Sequence, residues 1–151
     1  MEDIIGEIKS LIPNICLRTT LIAGFPGETQ DDVEELKGFL QKMEFDRVGI
    51  FTYSHEENTS AFDLENNISE EEKERRAQEI MDVQQEISFK KNEEKVGKTF
   101  KVIVDKKEAG KYLGRTEFDS VEVDNEVIIN SQNKLNPGDF VHVKITKAFD
   151  Y

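Results

Sequence analysis

The apolar residues of this chain change period once along its length, and that change limits the folds open to it. Up to about residue 96, stretches of helical spacing alternate with aliphatic runs; beyond it only strand-like alternation remains. Ile4, Ile5, Ile8, Leu11 and Ile12 recur at helical spacing, and Pro13-Asn14 ends that helix. Residues 15–23 are β-branched and aliphatic without strict polar alternation, which predicts a buried, parallel strand. Gly24-Phe25-Pro26-Gly27 breaks it. Thr29 and Asp32 then form a capping-box-like pair, opening a helix with the stripe Val33, Leu36, Leu40 and Met43, widened by Phe39. Residues 47–53 read as a second strand and 54–67 as a polar loop. Ser69-Glu70-Glu71-Glu72 is a capping box opening a long helix, with Ala77, Ile80, Val83 and Ile87 on one face. Helix, strand, helix, strand, helix is the rhythm of an α/β layer or barrel segment. Two strands alone cannot cover themselves.

Residues 97–151 read as all β. Residues 99–105 place Phe100, Val102 and Val104 on one face, and residues 140–147 do the same with Val141, Val143 and Ile145. Shorter runs at 112–116, 121–123 and 127–130 lie between turn signals at Ala109-Gly110, Asp124-Asn125 and Asn136-Pro137-Gly138-Asp139. Five short strands in this length suggest a small OB-like barrel. Charge changes at the same place. Residues 1–96 carry 11 Lys+Arg against 23 Asp+Glu, whereas residues 97–151 carry 9 of each, so the net −12 belongs to the first part. The coincident shifts put a domain boundary near residues 95–97, giving 1–96 and 97–151.

Several classes are excluded. The 151 residues are too few for a complete eight-fold α/β barrel. No run of 18 apolar residues exists, so no membrane helix is expected, and residues 1–9 lack the pattern of a signal peptide. One cysteine, Cys16, allows neither an intramolecular disulfide nor a multi-thiolate metal site and fits a reducing cytoplasm. The acidity opposes indiscriminate binding to nucleic acid or anionic membrane.

The stretch Ile22-Ala23-Gly24-Phe25-Pro26-Gly27-Glu28 carries the most chemistry. A strand ending in glycines before a helix leaves backbone amides at the sheet's C-terminal edge, where α/β folds bind ligands. Gly24 and Gly27 permit close approach, and Glu28 offers an acceptor for a ribose or amine; the plain alternative is a βα turn. Arg18 shares a face with Thr20, so it either enters a polar cavity or meets an acidic partner. His55 beside Glu56 and Glu57 reads as an exposed loop before a metal site, because one His and two adjacent carboxylates fix no ligand geometry. His142 reads as a surface residue, Cys16 as a core residue, and the acidic run at 70–72 as a favourable first helical turn.

Taken together, residues 17–29 with Arg18-Thr19-Thr20 before Gly-Phe-Pro-Gly-Glu, residues 45–54 with Phe51-Thr52-Tyr53-Ser54, and Gln84-Gln85-Glu86-Ile87-Ser88 resemble the radical-SAM methylthiotransferases. The likeness is to the type that modifies an aspartate of a small-subunit ribosomal protein. Residues 97–151, through Gly114-Arg115 and Pro137-Gly138-Asp139-Phe140, resemble that family's C-terminal TRAM domain. The resemblance implies the last part of a radical-SAM (TIM-like) α/β barrel followed by an OB-like TRAM barrel. It implies sulfur insertion at an unactivated C–H bond with methyl transfer, using S-adenosylmethionine and two [4Fe–4S] clusters in the intact parent. Each cluster needs three cysteines, so this chain is expected to be an inactive fragment that ligates neither. By position, Gly24, Phe25, Pro26, Gly27 and Glu28 would lie near the adenosyl moiety and Arg18 would point into the barrel; no catalytic or metal-ligating residue is expected. A basic ribosomal protein is the expected partner. The alternatives are a transfer-RNA adenosine methylthiotransferase, and a non-catalytic RNA-binding module using exposed Lys98, Lys101, Lys106, Lys107, Lys111 and Arg115.

Overall fold

A computed structural model describes residues 1–121 and 123–149; Glu122, Asp150 and Tyr151 lie outside the described residues. Among the described residues the order is α1 (Glu2–Leu11), β1 (Arg18–Ala23), α2 (Gln30–Met43), β2 (Arg47–Thr52), α3 (Glu70–Glu93), β3 (Thr99–Glu108), β4 (Lys111–Thr116), β5 (Val127–Ile129) and β6 (Phe140–Lys144). The chain divides into two units, Met1–Ser88 and Phe89–Tyr151.

In the first unit β1 and β2 pair in parallel, with Arg18 opposite Arg47, Thr20 opposite Gly49 and Ile22 opposite Phe51. One face of this pair makes the core. Ala23, Val33, Leu40, Met43, Phe45, Ile80, Val83 and Ile87 are buried, with Leu17, Leu21, Val48 and Ile50 packed against them. The stripes expected on α2 and α3 are the ones that pack. Thr29 and Asp32 form a full capping box: Asp32 Oδ2 accepts from the Thr29 N–H at 2.8 Å, and Thr29 Oγ1 accepts from the Asp32 N–H at 3.3 Å.

Local expectations are corrected at β1, Ser69 and Cys16. β1 begins at Arg18 instead of residue 15, because the Asp46 carboxylate takes the Leu17 N–H at 2.9 Å in place of a neighbouring strand. Ser69 caps α3 from one side only. Its Oγ accepts from the Glu72 N–H at 3.2 Å, while the Glu72 carboxylate turns to Arg75 and Arg76. α1 buries none of its residues completely: Ile4, Leu11 and Ile12 are exposed, and Ile5 alone packs on the core's margin. Lys9 anchors that helix by donating to the carbonyl of Met43. Cys16 is half-buried and outside the core, at the entry to β1.

In the second unit the sheet order is β5-β4-β3-β6, all antiparallel. Val102, Val104, Tyr112 and Ile129 form its buried core, with Phe100, Val141 and Val143 against them, as the alternation predicts. Gly114 sits opposite Val104; a Cβ there would overlap the Ile103 carbonyl and lie 2.9 Å from Val102 Cγ1. Only glycine fits. Among the described residues the expected five strands become four, because Val121 and Val123 lie exposed in a turn held by the Ser120 N–H to Asp124 Oδ2 bond at 2.7 Å. Glu122 of that expected strand is outside the described residues. β6 stops at Lys144, short of residue 147. Residues of β5 and β6, the two edges of the ladder, line one cleft of about 330 Å³. The sheet therefore curls into a half-barrel, and the OB-like barrel is left open along that seam.

Candidate functional site

Both parallel strands of the first unit end at one edge, and residues 24–28 follow β1 there. Gly24 has φ of +77° and its N–H donates to Glu28 Oε1 at 3.0 Å, while the Glu28 N–H donates back to the Phe25 carbonyl at 2.9 Å. The loop is thus closed on itself before Thr29 caps α2. The Phe25 ring meets Tyr53 edge to face at 5.3 Å and remains two-fifths exposed. Tyr53 continues β2 by donating its N–H to the Ala23 carbonyl at 2.9 Å. Its hydroxyl donates to the Ala61 carbonyl at 3.3 Å and lies 3.2 Å from His55 Nδ1. His55 stacks on Phe62 at 4.6 Å, so this ring belongs to an aromatic cluster beside the loop.

α3 supplies the charged floor of the site. Lys73 is fully buried; its Nζ donates to the Tyr53 carbonyl at 3.2 Å and pairs with Glu70 at 2.7 Å. Arg76, one turn further on, donates from Nη1 to the Glu28 carbonyl at 2.8 Å and to Glu28 Oε1 at 3.0 Å. Its Nε pairs with Glu72 Oε1 at 2.7 Å. Burial pulls the Arg76 pKa down, but the hydrogen bonds it donates to Glu72 and Glu28 outweigh it and hold the guanidinium charged. Glu72, bridged first by Arg75 and then by Arg76, titrates at about 2. Sequence reasoning missed Lys73 and Arg76. The signal was available: positions 73 and 76 continue the stripe of Ile80, Val83 and Ile87 toward the helix start, so two cations stood on a core-facing stripe.

The other face of β1 and β2 is open. Arg18, Thr20, Ile22 and Phe51 lie on it, and Ile22 and Phe51 are more than half exposed. Arg18 starts β1 and residues 24–28 follow its end, so the two expected contributors are separated along the strand by roughly 20 Å. Gly24 is buried, Gly27 exposed, and Pro26 and Glu28 half-buried. Glu28 Oε1 serves the loop and Arg76, a bracing role that the sequence did not suggest.

In the second unit several of the basic side chains are already engaged. Lys106 lies 3.3 Å from Glu108 and 3.6 Å from Glu126, and Arg115, expected to be exposed, is half-buried against Asp105 at 3.2 Å. Lys101 sits 4.4 Å from the Phe140 ring centroid and Lys107 5.0 Å from that of Tyr112. His142 is a surface residue, as its parity predicts. Among the described residues no helix is long and apolar enough to cross a membrane.

Comparison with known proteins shows what the chain is similar to. Residues 96–151 match the TRAM domain. The chain is 48% identical over 149 residues to the Flavobacterium psychrophilum protein named ribosomal protein uS12 methylthiotransferase RimO, covering 98% of this chain and 34% of that relative. The chain is RimO-like from end to end. The protein of the same name from Phocaeicola vulgatus is 50% identical across 99% of the chain and 35% of its own length. That from Caldanaerobacter subterraneus is 41% identical across the whole chain and 34% of its own length. The RimO-like chain thus spans about a third of the length of the curated relatives it matches. Its α/β unit ending in a TRAM-type half-barrel fits the fold that the resemblance implied.

Proposed function

We propose that this chain is the C-terminal third of a radical-SAM enzyme that methylthiolates an aspartate of ribosomal protein uS12. The observation that carries this reading is the RimO-like sequence over 98–100% of the chain, with residues 24–28 at the C-terminal edge of two parallel strands. Domain 1–96 is then the end of the barrel and domain 97–151 the TRAM domain. The bare face bearing Arg18, Thr20, Ile22 and Phe51 is the barrel's interior wall, which explains apolar side chains left in water.

An adenosyl group needs an apolar platform beside backbone polar groups. Phe25 and Pro26, next to the bare Ile22, offer the platform, and Gly24, Gly27 and Glu28 bring the backbone close. S-adenosylmethionine, when bound, supplies the transferred methyl group and the radical chemistry of the family. The residues of this chain bind and orient it and take no part in bond breaking. One thiol, Cys16, cannot hold a [4Fe–4S] cluster, so both clusters of the parent are ligated elsewhere.

The partner reading follows from charge. The barrel unit carries the whole net −12, and in the charge-balanced TRAM unit Lys106 and Arg115 are matched by carboxylates while Lys101 and Lys107 lie over rings. The acidic barrel part suits a basic ribosomal protein in the cytoplasm better than it suits RNA. Mass spectrometry of uS12 and of transfer RNA from a strain lacking the parent gene tests it. The methylthio group should vanish from uS12 and persist on transfer RNA. Loss from RNA alone overturns the reading in favour of a transfer-RNA enzyme.

A further inference from the structure

The cations under the loop are placed as no purely structural helix face requires. Lys73 and Arg76 stand one turn apart on α3, on the stripe that elsewhere holds Ile80, Val83 and Ile87. An apolar residue at 73 would pack there without burying a charge, and burying an ammonium is costly unless it is fully paired. Here the pairing is aimed at one segment. The Lys73 stem fills the space above Gly24, where a Cβ would overlap its Cγ and lie 2.9 Å from its Cβ. Its Nζ holds the Tyr53 carbonyl at 3.2 Å and lies 5.2 Å from the centroid of the Tyr53 ring, against which Phe25 rests. Arg76 grips the far end, bonding both the carbonyl and the carboxylate of Glu28, which in turn accepts the Gly24 N–H. Both ends of residues 24–28 are therefore fixed by α3, and Phe25 is left presented between them.

We infer that Lys73 and Arg76 are positioning residues that set the conformation of residues 24–28 and, through it, the affinity for the adenosyl group. This rests on the reading that the loop receives that group. A loop fixed before binding loses less conformational freedom when a ligand arrives, so loosening it weakens binding without touching the ligand.

The test uses the full-length parent, cluster-loaded and anaerobic, with two readouts: hydrogen exchange of the peptide covering residues 22–29, and the dissociation constant for S-adenosylmethionine by equilibrium dialysis. Lys73→Met keeps the stem and removes the ammonium. Losing a hydrogen bond from a charged group should raise both loop exchange and the dissociation constant about tenfold. Arg76→Gln should act alike, and Arg76→Lys should recover most of the loss. Gln84→Met, on the same helix and equally buried, should move neither readout, which separates positioning from general weakening of α3. Should Lys73→Met not fold, Arg76→Gln with its rescue by Arg76→Lys carries the test. Unchanged exchange in Lys73→Met and Arg76→Gln overturns the brace. Faster exchange with unchanged affinity upholds the brace and overturns the placing of the adenosyl group at this loop.

Discussion

The two sheets of this protein solve the same problem differently. The antiparallel sheet of β3 to β6 curls over its own core, so its apolar alternation is satisfied within one unit. The parallel pair of β1 and β2 buries only one face, under α2 and α3, and leaves Ile22 and Phe51 in water on the other. A second difference goes with the first. The four-stranded unit buries one charged side chain, Asp119, among its described residues, whereas the parallel unit buries Lys73, Arg76 and Gln84. Lys73 and Arg76 are buried at the strand-end edge, as the proposed adenosyl site requires, whereas Gln84 is buried further along α3 against the Phe45 carbonyl.

That contrast can be broken at its core. Leu40 is fully buried between helices and sheet, and Leu40→Ala should cost about 3 kcal/mol by urea denaturation. A cost below 1 kcal/mol would mean that the single-faced core is not a packed one. Gly24→Ala is expected next. The positive φ and the overlap with Lys73 should together cost about 2–3 kcal/mol. Adding Lys73→Ala should return part of that loss, because the two changes share one space. Strict additivity in the double variant would refute the proposed contact.

A smaller effect concerns pH. Glu72 titrates at about 2 in the folded protein against an ordinary value near 4.5, held down by Arg75 and then Arg76. A depressed carboxylate stabilises above its unfolded pKa, and that contribution is lost as pH falls through the folded one. Wild type should therefore lose melting temperature between about pH 4.5 and pH 2 more steeply than Glu72→Gln does. Parallel curves would remove Glu72 from the network. The smallest effect is expected on the bare face, where Phe51→Ser should leave stability within about 0.5 kcal/mol while lowering binding of a hydrophobic dye. A large destabilisation would show that this face is covered after all.

Much of the fold was legible because its signals are local. The Thr29 and Asp32 cap, the stripes of α2 and α3, and the alternation in β3 and β6 all lie within a few residues of one another. The errors came where distant groups compete. Residues 15–17 looked like strand until Asp46 took the Leu17 N–H, and Val121 with Val123 looked like strand until Ser120 and Asp124 closed a turn. At the candidate site, Gly24 and Glu28 were legible as turn chemistry and possible ligands. The bond joining them is also short-range, but Arg76 lies 48 residues from Glu28, a distance that no window along the chain spans.

The sequence by itself determined the periodicities, the caps, the split of charge at residue 96 and the motif at residues 24–28, since each follows from neighbouring residues. Tertiary structure decided which face of the parallel pair is bare, that the small sheet remains a half-barrel, and that Lys73 and Arg76 are buried. Those outcomes turn on which distant group supplies a hydrogen bond or excludes water, and a linear reading of residue types does not carry that information.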